Sequence, residues 1–133
     1  MPAYFAYMGV YLTYILVALG LFGAGLAVYV WVTPYKEFRL IREGNMAASC
    51  SLVGTMIGFA LPLASAMSHS VDLADMAIWS VIALVFQILA FAAATFLFKG
   101  FKAGIEEGKV SYGIMLGGLS VAVGILNAGA LTY

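Results

Sequence analysis

Long apolar runs alternate with short polar segments along the 133-residue chain. Four runs reach the roughly 20 residues that an α-helix needs to cross a bilayer: residues 5–32, 46–66, 73–97 and 110–132. The first run, at 1.5 Å per residue, would be about 42 Å long and should tilt or project outward. The pattern predicts an all-α integral membrane protein with four transmembrane helices in a single domain, residues 1–133.

The composition supports lipid as the solvent. Hydrophobic residues make up 65% of the chain and charged residues 9%, against about 45–50% and about 25% in soluble domains. A soluble fold of this size could not bury so much apolar surface. The formal net charge is zero, so the totals indicate no nucleic acid as a partner. The predicted partner is the lipid bilayer itself.

All six basic residues lie in two short segments, each between two apolar runs. The remaining connection, residues 67–75, has no Lys or Arg, and neither does the start of the chain. Positive charge is retained on the cytoplasmic side of a membrane, so we predict both basic segments inside and both termini outside. The six residues are Lys36, Arg39, Arg42, Lys99, Lys102 and Lys109.

The basic segments mix apolar and charged residues at near-helical spacing. In the second, Phe98, Phe101 and Ile105 recur at i, i+3 and i+7, which favours a helix with one apolar face. We predict short interfacial helices at the inner membrane surface. Simple polar turns remain the alternative for the second segment, because it contains Gly100 and Gly104.

An internal repeat relates the two halves of the chain. A shift of 64 positions aligns Ile41–Gly44 with Ile105–Gly108, and residues 41–66 then show seven identities in 26 positions without a gap. We predict two tandem units, about 5–68 and 73–133. Each unit has an even number of spans, so the copies run in the same direction, unlike inverted transporter repeats.

Small residues recur in the second span of each unit. Small residues four apart let a neighbouring helix approach closely, which drives helix association in lipid. Packing within one subunit is the preferred interpretation, and assembly of subunits is the alternative. The predicted helix-packing residues are Gly54, Gly58, Gly113, Gly117, Gly118 and Ala122.

Few polar residues lie inside the spans. Gln87 falls near the middle of the third span, and an amide there is costly unless paired. We predict a hydrogen bond to the hydroxyl of Thr55 or Ser120, while a conduction path or ligand site is the alternative. Ser65 and Asn127 lie nearer the outer ends.

The sequence contains no catalytic constellation. One Cys and one His exclude a cysteine-based or multi-histidine metal site, and no nucleophile stands beside a base. We therefore predict no enzyme activity, no metal and no cofactor.

The chain resembles the bacterial inner-membrane family called domain of unknown function 350. The resemblance rests on residues 39–45 (with Arg42, Glu43, Gly44 and Asn45), on Gly58 through Pro62 to Ala66, and on Gln87 and Asn127 with their neighbours. Family members often end in an Asn-Ala-Ala-Cys-Met tail, but Gly129-Ala130-Leu131 follows here, so no role for that Cys carries over. Genes of this family often neighbour those for membrane-stress proteins. The resemblance implies the bacterial inner membrane and a role in envelope maintenance. In that membrane, the termini that the basic residues place outside would be periplasmic.

These observations lead to two functional hypotheses. The first is a non-enzymatic helical module that forms a homo-oligomer or binds a membrane-stress partner. The second is a small channel or transporter with its pathway between subunits. The surroundings of Gln87 and Asn127 distinguish the two hypotheses. Contact of these side chains with water favours a pathway, and their burial between helices favours a structural role.

Overall fold

The computed structural model describes residues 2–33, 35–97 and 100–131. These residues form six α-helices and no strand, and four of the helices are long and apolar enough to cross a membrane. The all-α prediction with four spans is therefore confirmed. The helices are α1 Pro2–Val32, α2 Glu37–Arg42, α3 Met46–His69, α4 Leu73–Leu97, α5 Phe101–Glu106 and α6 Val110–Ala130.

Helix α3 lies at the centre of the bundle. Among the four long helices, α3 has the largest share of buried residues and α1 the smallest. The most extensive partner of α3 is α6. The two helices run in the same direction, since Ala47 lies beside Gly113 near their beginnings and Ser65 bonds to Ala128 near their ends. Pro62 lies inside α3 and is buried.

The short helices α2 and α5 lie at one end of the bundle, which we call the inner end. Each has six residues, and their bounds differ by 64 positions. Each is followed by a glycine with positive φ, Gly44 at 85° and Gly108 at 77°, a conformation that other residues adopt at a cost. The same hydrogen bonds close both turns: Gly44 N donates to Ile41 O (2.9 Å) and Gly108 N to Ile105 O (3.0 Å).

Helix α1 packs on the bundle only over its second half. Near the inner end, the Tyr29 ring meets Phe59 and Phe91 edge-on, with centroids 6.1 and 4.7 Å away. At the opposite, outer end, Ala18 packs in a cluster that includes Ala66 and Leu131. Every residue from 4 to 13 is exposed. The early part of α1 is therefore not covered by the other helices of the described chain.

Candidate functional site

The six small residues predicted to pack helices fall into two groups. A Cβ on Gly54 would overlap the backbone of Gly117, and one on Gly113 would overlap Ala47. Gly58 meets Gly124 just as closely, because a Cβ on Gly124 would stand 2.7 Å from the Gly58 Cα. The glycines therefore form one α3–α6 contact within the chain.

Gly118 and Ala122 lie outside this contact, so packing within one chain does not account for them, and their role in helix packing stays a prediction. Gly118 has open space around it, and Ala122 is exposed. The physical reason is the crossing of the helices, which sets Gly54 against Gly117 rather than against its counterpart at an offset of 64. Consecutive helical residues point about 100° apart, so Gly118 turns away from α3.

Gln87 is buried between α4 and α6, with 3% of its surface exposed. Its Nε2 donates to the backbone carbonyl of Ser120 at 2.6 Å. The predicted partner residue is thus correct, but the acceptor is a carbonyl and not a hydroxyl. Asn127 Nδ2 donates to Ala83 O (2.9 Å) and lies 3.4 Å from Gln87 Oε1. Both amides therefore join helices within the bundle.

Hydroxyl groups continue this polar contact along α3. Thr55 Oγ1 donates to Ser51 O at 2.9 Å and lies 3.5 Å from Ser120 Oγ. Nearer the outer end, Ser65 Oγ donates to Ala128 O at 2.7 Å. The five intramembrane polar residues predicted from the sequence thus all contact the interfaces that α6 makes with α3 and α4.

A second polar cluster, which the sequence did not predict, lies at the inner end. We call it the Glu37 cluster; it consists of Tyr29 of α1, Tyr35, Glu37 of α2 and Ser51 of α3. The Ser51 Oγ lies 3.4 Å from the Tyr29 hydroxyl and 3.3 Å from the Tyr35 hydroxyl. Glu37 is 0% exposed. Neither of its carboxylate oxygens has a hydrogen-bond partner among the described residues.

Burial dominates the electrostatics of this cluster. Loss of water raises the pKa of Glu37 from 4.5 to about 7, and the nearby hydroxyls of Tyr29 and Tyr35 offset part of this rise. Burial likewise raises the pKa of Tyr35 to about 12. Tyr35 therefore stays protonated near neutral pH and can donate to a carboxylate, while Glu37 can gain or lose a proton in that range.

The family-motif residues hold the two inner segments together. Asn45 Oδ1 accepts from Ala48 N at 2.9 Å and so caps α3, while its Nδ2 donates to Ile105 O at 2.7 Å, in α5. Arg39 and Glu43 form an exposed ion pair at 3.8 Å, as do Lys109 and Glu107 at 3.6 Å. Such exposed pairs contribute little stability. Arg42 is exposed.

A polar cavity of about 400 Å³ lies between α2 and α5. The cationic side chains of Lys36, Arg39 and Lys102 line it together with Tyr35, Leu40, Glu43 and Glu106. The predicted cytoplasmic charge is thus gathered at the inner end. Lys99, which the sequence also assigned to this group, lies outside the described residues. In the described part of the chain, no group of three His, Cys, Asp or Glu could hold a metal ion.

One signal in the sequence could have revealed the Glu37 cluster. At an offset of 64, Glu37 corresponds to Phe101, and both side chains are buried. An acidic residue at a position where the predicted second unit has a phenylalanine indicates a departure from simple packing. Sequence reasoning placed Glu37 in a short interfacial helix at the inner membrane surface and did not predict its burial.

Four apolar helices around a glycine-rich α3–α6 contact, with polar groups paired between helices, define a multi-pass α-helical membrane protein. The chain belongs to the family described as Domain of Unknown Function (DUF350), which it matches over residues 4–131. The expected family is therefore confirmed.

Curated relatives are also described as membrane proteins. The chain is 35% identical over 108 residues to the UPF0719 inner membrane protein YjfL of Escherichia coli K12, covering 81% of this chain and 82% of that protein; the O157:H7 protein matches equally. It is 30% identical over 81 residues to the UPF0719 transmembrane protein YshE of Bacillus subtilis, covering 61% and 60%. No solved structure matches the chain significantly.

Proposed function

We propose that this protein is a non-enzymatic membrane module, built from two tandem two-helix units, that assembles with further copies of itself. The observation that carries the proposal is the projecting part of α1, residues 4–13. All ten residues are exposed, and most are apolar or aromatic. They correspond to about 15 Å of helix at 1.5 Å per residue.

The height of this projecting part follows from the outer cluster. Ala18 packs beside Ala66 and Leu131, which lie close to the ends of α3 and α6. Tyr14 and Val17 border the same cluster. Residues 4–13 therefore extend beyond the level at which the other helices end. An apolar helix there needs a cover that the other described residues do not provide.

A second copy of the chain is the occupant that best fits this surface. Tyr4, Tyr7 and Tyr11 lie on one stripe and are exposed, so their rings offer a wide apolar face with hydroxyls that seek partners. Two such stripes can pack against each other around a twofold axis along the membrane normal, the commonest symmetry of homo-oligomers. A membrane-stress partner bound to the same stripe is the alternative outcome.

Cross-linking in the intact bilayer tests the proposal. In a Cys50→Ala background, a Met8→Cys variant should form cross-linked dimers, because Met8 lies on the projecting part. Val85→Cys, similarly exposed but on α4, is the matched control and should remain monomeric. Equal cross-linking at both positions, or none at position 8, would reject assembly through α1. Cross-links of Met8→Cys to a different protein alone would favour the partner.

Several features support the tandem-unit architecture. The bounds of α2 and α5 differ by 64 residues, as do the glycines that end their turns. The parallel course of α3 and α6 also fits two units of the same direction. We further propose that α2 and α5 lie at the cytoplasmic surface and that both termini are periplasmic, because all basic residues lie in these two segments.

Reporter fusions test this orientation. An enzyme that is active only outside the cytoplasm should be active when fused after Tyr133 and silent when fused after Arg42. The reverse pattern would contradict the orientation without affecting the proposed assembly.

A channel or transporter between subunits is the second candidate. An apolar groove of about 420 Å³ between α4 and α6 favours it, since Asn127 contributes to its wall. The burial and pairing of Gln87 and Asn127 support the structural role instead. Uptake or conductance measured on reconstituted protein, and lost in Asn127→Leu without loss of stability, would favour the channel.

A further inference from the structure

Glu37 stands out because the nearby hydroxyls of Tyr29 and Tyr35 compensate only part of the burial of its carboxylate. Its carboxylate is 0% exposed and has no hydrogen-bond partner within the described part of the chain. Burying an ionised carboxylate is costly unless it is paired. No Lys or Arg forms an ion pair with it among the described residues. The side chain is therefore held in a place that favours its neutral form.

Packing alone does not require a carboxyl group at this position. In the second unit, Phe101 occupies the corresponding position and docks α5 as a buried apolar side chain. Three of the surrounding polar residues likewise have apolar counterparts at the offset of 64. The positions that correspond to Tyr29, Ser51 and Thr55 at an offset of 64 are Ala93, Met115 and Leu119. The Glu37 cluster is thus an addition to the repeated fold.

The hydroxyl groups near Glu37 can donate a hydrogen bond to its carboxylate or accept one from its protonated carboxyl group. Tyr29 of α1 and the adjacent Tyr35 are the titratable groups that influence it. These two tyrosines in turn contact the non-titrating hydroxyl of Ser51 on α3, and the apolar ring of Phe91 on α4 packs against Tyr29. Charged groups lie beyond Tyr35, in the cavity between α2 and α5: Lys36, Arg39, Glu43, Lys102 and Glu106.

Tyr35 also links the Glu37 cluster to the polar cavity. Tyr35 lines the polar cavity, and its hydroxyl lies 3.3 Å from Ser51 Oγ within the Glu37 cluster. Tyr35 is therefore the residue that the cavity and the Glu37 cluster share. A proton is also the cation that needs no added space beside a fully enclosed carboxylate.

We propose that Glu37, with Tyr29, Tyr35 and Ser51, forms a proton-binding site at the inner end of the bundle, and that its occupancy controls the docking of α2. The protonated carboxyl is neutral and stays buried, so α2 remains against α3. Loss of the proton leaves a buried charge that the hydroxyls of Tyr29 and Tyr35 stabilise only in part. Helix α2 then moves toward water. The site does not depend on self-assembly and can be tested in dispersed protein.

The direct test observes the carboxyl group. The chain contains four glutamates, of which Glu43, Glu106 and Glu107 are exposed. Protein labelled with ¹³C-glutamate, in lipid nanodiscs, should show one side-chain resonance that titrates near pH 7. The absence of any glutamate resonance that titrates near pH 7 would overturn the proposal, and this measurement requires no variant.

Variants then assign the resonance and its effect. Glu37→Gln should remove the titration near pH 7, while Glu43→Gln, on the same helix, should leave it. Amide hydrogen exchange of α2, corrected for its intrinsic pH dependence, should accelerate between pH 6 and 8 (about one unit either side of the titration) in the parent and not in Glu37→Gln. Exchange that accelerates equally in Glu37→Gln, or a titration that persists in it, would refute the role of Glu37.

Discussion

Alanine substitutions at the neighbouring residues Gly117 and Gly118 should change the stability of the protein differently, because only Gly117 lies on the α3–α6 contact. The perturbation is a single methyl group, added as Gly54→Ala or Gly117→Ala on the contact and as Gly118→Ala beside it. All three replacements gain the same helix propensity, about 0.5–1 kcal/mol relative to glycine. They differ in what the new methyl meets. At Gly54 it overlaps the Gly117 backbone, whereas at Gly118 it has open space.

The size of the expected destabilisation follows from the rigidity of the Gly117 backbone, which the new methyl group at position 54 would overlap. A flexible side chain could rotate away, but the Gly117 backbone cannot, so α3 and α6 must separate by about 1 Å. A gap of that size forfeits a quarter to a half of each contact across the interface, and overpacking of a core typically costs about 1–3 kcal/mol. Gly54→Ala should therefore be less stable than Gly118→Ala by about 1–3 kcal/mol or more.

Reversible unfolding in mixed micelles, followed by circular dichroism, measures this difference as a free energy of unfolding. Gly118→Ala should match or exceed the parent. If Gly54→Ala were as stable as Gly118→Ala to within about 0.5 kcal/mol, the close approach of α3 and α6 would be wrong. If Gly118→Ala disturbed only the oligomer and not unfolding of the single chain, its exposed face would belong to an interface between copies.

Other residues give further expectations. Gln87→Leu should lower the free energy of unfolding by about 0.6–2 kcal/mol through loss of the bond to Ser120 O, with transport or conductance unaffected if the role is structural. Asn45→Ala should cost about 1 kcal/mol for the lost cap and should loosen α5, measured as faster exchange of its amides, while Asn45→Asp should keep the cap. Stability should fall as pH rises from about 5 to about 8, because the pKa of Glu37 is raised to about 7 in the folded protein. This loss in the free energy of unfolding, at 1.36 kcal/mol per pKa unit, amounts to about 3 kcal/mol. Glu37→Leu should lack this loss and should therefore be more stable than the parent at pH 8.

Much of the architecture was predictable because hydropathy and charge act locally. A run of about 20 apolar residues forms a spanning helix whatever its neighbours are, so all four spans follow from the sequence, with boundaries that differ by a few residues. The short helices in the basic segments follow from their spacing. Gly44 and Gly108 mark the turns because only glycine adopts their positive φ readily.

Details of the site depend on how the helices are rotated and crossed. Gly117 and Gly118 are chemically identical neighbours, and only the α3–α6 crossing decides that the first meets Gly54 and the second faces outward. A buried amide such as Gln87 requires a hydrogen-bond partner, and the sequence could predict that much. That the acceptor is the Ser120 carbonyl and not a hydroxyl depends on the relative positions of α4 and α6. Glu37 lies 14 positions before Ser51 in the sequence, in a segment that reads as solvated. Its burial arises because α1, α2 and α3 converge at the inner end, and convergence is a property of packing that local composition cannot encode.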